Sequence, residues 1–202
     1  MTTVRAPMQY LVHGVDNEGV DAQLEALAES HWTYMDGFLD DLVARGPTLS
    51  PDGERHTGSI HLIRESDRDG AQRFAFDEPY WREGLYRTVS VTRFHNALAG
   101  TMWDGRRPAR GSTSSLVVAN WPQRAFAPDA AVDARVLRQL AAAEALVFGG
   151  LLISDDGTSS VGLAAAFDLS PERASSLVEA LGLPELTTFT ACCWQRGGRD
   201  QD

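Results

Sequence analysis

One stretch of this chain is written twice. Residues 46–58 read GPTLSPDGERHTG and residues 150–162 read GLLISDDGTSSVG. A constant offset sets Gly46, Ser50, Asp52, Gly53 and Gly58 against Gly150, Ser154, Asp156, Gly157 and Gly162. Three of these five pairs are glycines, which mark positions needing a positive φ or a close backbone approach. Asp-Gly between strand-like runs signals a hairpin. Repetition of residue type and spacing together implies tandem duplication of one α+β unit. The 202 residues allow two small units of this kind.

The first unit spans residues 8–94. Met8–His13 alternates as a short strand. A helix is expected from about Asp21 to Arg45, on the stripe Leu24, Leu27, Ala28, His31, Met35, Phe38 and Leu42. Gly46 would stop it and Pro47 would prevent its continuation. His31 stands in the apolar stripe, so it should face the sheet. It is then either a core histidine bonded to a backbone carbonyl or an imidazole held by a carboxylate. After the Asp52-Gly53 turn, Ser59, His61 and Ile63 share one strand face and Ile60 and Leu62 the other. A helix at about Arg68–Phe76 leads into Asp77-Glu-Pro-Tyr-Trp81, a turn crowded with carboxylates and rings, and Tyr86–Phe94 closes the unit as a strand. The order is the split βαβ, ferredoxin-like pattern.

Several function classes fall away. A formal net charge of −10 argues against nucleic acid and anionic membrane surfaces as partners. No apolar run approaches a membrane span, and the start carries no apolar signal core, so a cytoplasmic location is expected. All 18 basic residues are arginine, which excludes a lysine Schiff base and a P-loop lysine. No metal is expected: the histidines at 13, 31, 56, 61 and 95 have no ligand spacing, and Cys192 and Cys193 form no CxxC. No GxGxxG follows a strand and there is no GxSxG elbow, so no cofactor is expected either.

The first unit resembles the YCII-related family of dimeric α+β barrel proteins. The resemblance rests on Tyr10-Leu-Val, His31, Ala44-Arg-Gly-Pro47, Gly58-Ser59, Asp77-Glu-Pro-Tyr80, Gly84-Leu-Tyr86 and Val89-Ser-Val91. It implies a histidine–carboxylate pair with a serine nearby, lining a pocket between sheet and helices. His31 matches the family histidine and Ser59 the family serine. The family aspartate stands directly before proline, where this chain has Glu78, with Asp77 one step earlier. Either carboxylate is a candidate partner. Tyr80 and Trp81 are candidate walls for an aromatic substrate or ordinary core rings. His61 is a candidate pocket residue without a family match.

Residues 95–114 look like a surface linker, and Arg106, Arg107 and Arg110 lie within it. The second unit, residues 115–194, contains no histidine. It should comprise strand 115–120, an irregular loop at 121–131, helix 133–147, the repeated hairpin, strand 161–167, a helix from Ser170, and strand 186–194, followed by a frayed tail. Arg135 falls opposite His31, and aligning the prolines puts Leu183 where Glu78 would be. Titratable groups would belong to one half and an apolar sheet to the other. A ferredoxin-like sheet has one bare face, so two tethered copies should pair sheet-on-sheet as an intramolecular dimeric α+β barrel. A further homodimer is left open.

The expected function is proton transfer on a small aromatic or enolisable molecule by elimination, dehydration or isomerisation. His31 would be the base and Glu78 or Asp77 its partner. The alternatives are a non-catalytic small-molecule-binding or assembly protein, and a cofactor-independent monooxygenase.

Overall fold

The computed structural model describes residues 8–104, 113–127, 131–143 and 145–198. The first unit runs β1 (Met8–Asp16), α1 (Asp21–Asp36), β2 (Leu42–Leu49), β3 (His56–Glu65), α2 (Arg68–Phe76), α3 (Pro79–Arg82), β4 (Tyr86–Asn96). The second runs β5 (Ser114–Ala125), α4 (Ala131–Ala141), β6 (Leu146–Ile153), β7 (Ser159–Phe167), α5 (Pro171–Glu179), β8 (Thr188–Trp194). The strands form one closed barrel in the order β1-β3-β2-β8-β5-β7-β6-β4. Each unit contributes four adjacent strands with its first and third strands in the middle, the ferredoxin-like order. Two antiparallel seams, β2 with β8 and β4 with β6, join the units.

The repeated stretch does the same work twice. Gly53 and Gly157 turn their hairpins at φ +78° and +77°. In each turn the serine hydroxyl donates to the aspartate, Ser50 to Asp52 and Ser154 to Asp156. The other glycines make room for neighbouring backbone. A Cβ on Gly46 would lie 1.9 Å from the Gln195 carbonyl oxygen, and one on Gly150 would lie 2.2 Å from that of His95. Both positions are at seams between units. A Cβ on Gly58 would meet the Gly14 oxygen at 2.2 Å, and one on Gly162 the Ala119 oxygen at 2.4 Å, both within a unit.

Burial follows the strand alternation. Leu11, Ile60, Leu62, Phe94, Leu116, Phe148 and Trp194 fill the barrel between the two sheets. On the opposite face of the first sheet, Tyr10, Val12 and Ile63 pack under α1 and α2 with Met35 and Phe74. The second unit repeats this with Val117, Leu163 and Ala165 beneath Val136, Leu140 and Val178.

Several boundaries differ from expectation. Helix α1 ends at Asp36, and Leu42–Leu49 is a strand. The spacing of Phe38 and Leu42 imitates a helix, but Leu42 and Val43 are buried in the sheet, whose packing outweighs local periodicity. Likewise α4 stops at Ala141 and Leu146–Ile153 is strand, while β5 continues through Trp121 to Ala125. The connection after β4 does not simply cross the surface. Met102 is buried in the barrel core, and its N–H donates to the Val43 carbonyl at 2.8 Å. Arg106, Arg107 and Arg110 lie outside the described residues. The tail is held as far as Gly198, with Gly197 N donating to the Arg45 carbonyl at 2.9 Å. Among the described residues no helix is long and apolar enough to cross a membrane.

Candidate active site

The apolar stripe of α1 places Leu24, His31 and Met35 against the first unit's interior. His31 meets Glu78 there, with Nδ1 2.5 Å from Oε1. The carboxylate is fixed from both sides. Glu78 is the N-cap of α3, and its Oε2 accepts the Trp81 N–H at 2.9 Å, which satisfies one of the unpaired donors of the helix start. Pro79 at the first helical position sets the turn. Glu78 is 2% exposed. Asp77 instead caps the C-terminus of α2 and is exposed.

Tyr80 stacks flat on the His31 ring at 4.3 Å and 1°. Its hydroxyl donates to the Leu24 carbonyl at 3.1 Å, tying α3 to α1. Burial, reinforced by Glu78, pushes that phenol up to about 12. His61 stands on β3 with its ring 5.8 Å from that of His31 and edge-on to Phe74. Burial holds its pKa well below the ordinary histidine value, and His31, Arg45 and His56 push it further down. Ser59 is buried on the same strand face. Trp81 contributes its backbone N–H, but its ring packs on Phe76 outside the cavity.

A second histidine–carboxylate pair lies beside the first. His56 Nδ1 is 2.6 Å from Asp16 Oδ2, and His56 Nε2 is 3.4 Å from Ser59 Oγ. Asp16 closes β1 and His56 opens β3, so the pairing of those strands brings them together. The distance of 40 residues conceals this in the sequence, although alternation along antiparallel neighbours offers a signal once their register is known. Arg45 was hidden by the misplaced helix end. On β2 it is a buried strand residue.

These side chains enclose a cavity of about 180 Å³. His31, His56, His61, Ser59 and Arg45 supply its polar wall, and Tyr80 and the half-exposed Trp32 its rings. Gly46-Pro47 and Gly197-Gly198 complete it. The cavity lies on the helix-covered face of the first sheet, outside the barrel interior. The second unit therefore does not roof it with an apolar sheet, and only its tail reaches the site. Among the described residues no cluster of three His, Cys, Asp or Glu side chains is placed to hold a metal ion.

The second unit retains the bridge but not its chemistry. Arg135 donates from Nη1 to the Leu181 carbonyl and from Nη2 to the Gly182 carbonyl at 2.9 Å. Arg135 and Gly182 are separated in sequence by 47 residues, as are His31 and Glu78. At the constant offset Gly182 falls opposite Glu78, and its carbonyl accepts from Arg135. An arginine gripping backbone carbonyls replaces an imidazole gripping a carboxylate.

Two ferredoxin-like units closed into one barrel, with a polar cavity under the helices of the first, define a protein of the dimeric α+β barrel class. Residues 8–95 match the model of the YCII-related domain. Over nearly its whole length the chain is similar to a candidate monooxygenase from Lactobacillus acidophilus. The identity is 8% over 95% of this chain and 94% of that one, with a TM-score of 0.56. It is also similar to a mutant chlorite dismutase from Candidatus Nitrospira defluvii, at 10% identity over 94% and 92% with a TM-score of 0.52. A 5-chloro-2-hydroxyhydroquinone dehydrochlorinase from Burkholderia phenoliruptrix is 23% identical over 44% of this chain and 94% of its own, with a TM-score of 0.41. These structural likenesses concern the fold. No curated protein matches the chain.

Proposed function

We propose that the chain is an enzyme of proton transfer, acting on a small enolisable or aromatic molecule by elimination, dehydration or isomerisation. The observation that carries this reading is the 2.5 Å contact between His31 Nδ1 and Glu78 Oε1 on the cavity wall. With the carboxylate ionised, Nδ1 holds the proton and donates it, which leaves Nε2 as the basic nitrogen. Glu78 fixes the tautomer and stabilises the imidazolium formed during reaction, the division of labour of other histidine–carboxylate pairs.

In the proposed step a substrate C–H bond breaks and its proton passes to His31 Nε2. The electron pair moves toward the adjacent carbonyl or ring oxygen to give an enolate. Collapse of the enolate either returns a proton at another carbon, which is isomerisation, or expels a leaving group from the neighbouring carbon, which is elimination. His56, held by Asp16 and near Ser59, is the candidate acid for the departing or reprotonated atom. The cavity is smaller than the roughly 300–1,000 Å³ of drug-sized sites, so it suits a molecule of about one ring.

Phenylpyruvate, which has one ring and an enolisable methylene, tests the reading. In D₂O the wild-type chain should accelerate loss of the methylene proton signal. His31→Gln should reduce that acceleration by about 10²–10⁴-fold, the usual contribution of a positioned base. Exchange at the wild-type rate in a folded His31→Gln variant would remove the proposal.

A further inference from the structure

Arg45 is 6% exposed on β2 and lines the same cavity. Its backbone is fully engaged, with the N–H on Met102 Sδ at 3.4 Å and the carbonyl receiving Gly197 N at 2.9 Å. Its guanidinium is not. Nη2 reaches Asp36 Oδ1 only at 3.5 Å, while Nε and Nη1 are buried without a hydrogen-bond partner among the described residues. A guanidinium cannot shed its proton, so this charge stays in the cavity wall at any working pH.

Asp36 pairs with Nη2 alone, and the other nearby acids are engaged elsewhere. Glu78 is held by His31 and the Trp81 N–H, and Asp16 by His56. The other cavity groups are three imidazoles, a serine and two rings. Glycine at 198 also matters here, because a Cβ at that position would come within 2.8 Å of Arg45 Nη2. Buried polar groups are ordinarily paired, and the Nε and Nη1 donors of this buried guanidinium have no partner among the described residues.

We propose that Arg45 is the anchor for an anionic oxygen of the ligand, so that the cavity takes one-ring carboxylates or phenolates in preference to neutral molecules of the same shape. The planar guanidinium suits a carboxylate held through two nitrogens. The anchoring role stands on the geometry of Arg45. Its link to turnover rests on the proton-transfer reading above. Removal of a substrate proton by His31 places negative charge on the oxygen next to the reacting carbon, and a fixed cation in the cavity wall stabilises that charge as it forms.

Calorimetric titration of the full chain with benzoate and with the neutral isostere benzamide tests the anchor. Benzoate should bind at least tenfold more tightly. Arg45→Gln should erase that preference and leave benzamide unchanged, while Arg45→Lys should keep part of it. If Arg45→Gln does not fold, Gly198→Val crowds the guanidinium without altering charge and should lower benzoate affinity by a similar factor. Equal binding of the two probes, no binding of benzoate, or an intact preference in the folded variants overturns the anchor. His31→Gln separates the two proposals. If it keeps the benzoate preference and loses phenylpyruvate exchange, both hold. If the preference is missing from wild type but exchange depends on His31, only the anchor falls. If the preference is present but exchange is independent of His31, only the proton-transfer reading falls.

Discussion

Glu78 has two jobs, and a single substitution separates them. Glu78→Gln keeps an oxygen for the Trp81 N–H, so the cap on α3 survives. It removes the charge that orients and supports the His31 imidazole. Turnover should fall by on the order of 10²-fold or more, with little change in thermal midpoint, and paired measurements of rate and melting check this. His61 makes a prediction about pH. Its pKa is depressed in the folded chain, chiefly by burial, so below the ordinary value of 6.5 the unfolded chain binds a proton that the folded one refuses. Its contribution to stability is therefore whole above about pH 6.5 and is lost as pH falls from there, with a limiting slope of ~1.4 kcal/mol per pH unit. His61→Phe should flatten the fall in urea midpoint between pH 7 and pH 5, and an unchanged slope would contradict the assignment. At this scale the sequence exposes only part of the site. The position of His31 in an apolar stripe and Glu78 before a proline are local patterns. The contact between Asp16 and His56 depends on strand pairing, and the burial of Arg45 depends on the true end of α1; neither is a local pattern.

Among the elements, the repeated hairpins are the best guide to what a residue type means. Gly53 has an open turn with nothing within 4 Å of its missing side chain, so Gly53→Ala should cost only about 1 kcal/mol through its left-handed φ. Gly46→Ala would drive a methyl to 1.9 Å from the Gln195 carbonyl oxygen, where backbone must shift. It should cost about 2 kcal/mol or more and also loosen the Gly197-Gly198 wall of the cavity. Chemical denaturation of both variants checks the order, and equal costs would contradict it. The glycine and Asp-Gly spacing made the hairpins legible in both halves. The two helix ends were not legible. After α1 and after α4, apolar residues continue at helical intervals into β2 and β6, and only the sheet they join decides their conformation.

For the molecule as a whole, the barrel interior is shared property. Leu11, Ile60 and Phe94 from one unit pack in one cluster with Leu116, Phe148 and Trp194 from the other. Phe148→Ala should therefore destabilise the chain by about 3–5 kcal/mol and weaken both units together. Native-state hydrogen exchange should show β1 and β7 amides accelerated by the same factor, whereas acceleration confined to β7 would mean that the units open separately. The pairing of two sheets was expected from the repeated stretch and from the bare face of a ferredoxin-like unit, so the architecture was largely foreseeable. The place of the cavity relative to the second unit was not, because nothing in residue order says which face a tail will reach. Gly182 shows how the second unit differs from the first. Its φ of +64° is natural for glycine and strained for glutamate, and the Arg135 guanidinium fills the space beside it. Arg135→His together with Gly182→Glu would therefore not reproduce the His31–Glu78 contact in the second unit, because main chain as well as side chains hold that half to another arrangement.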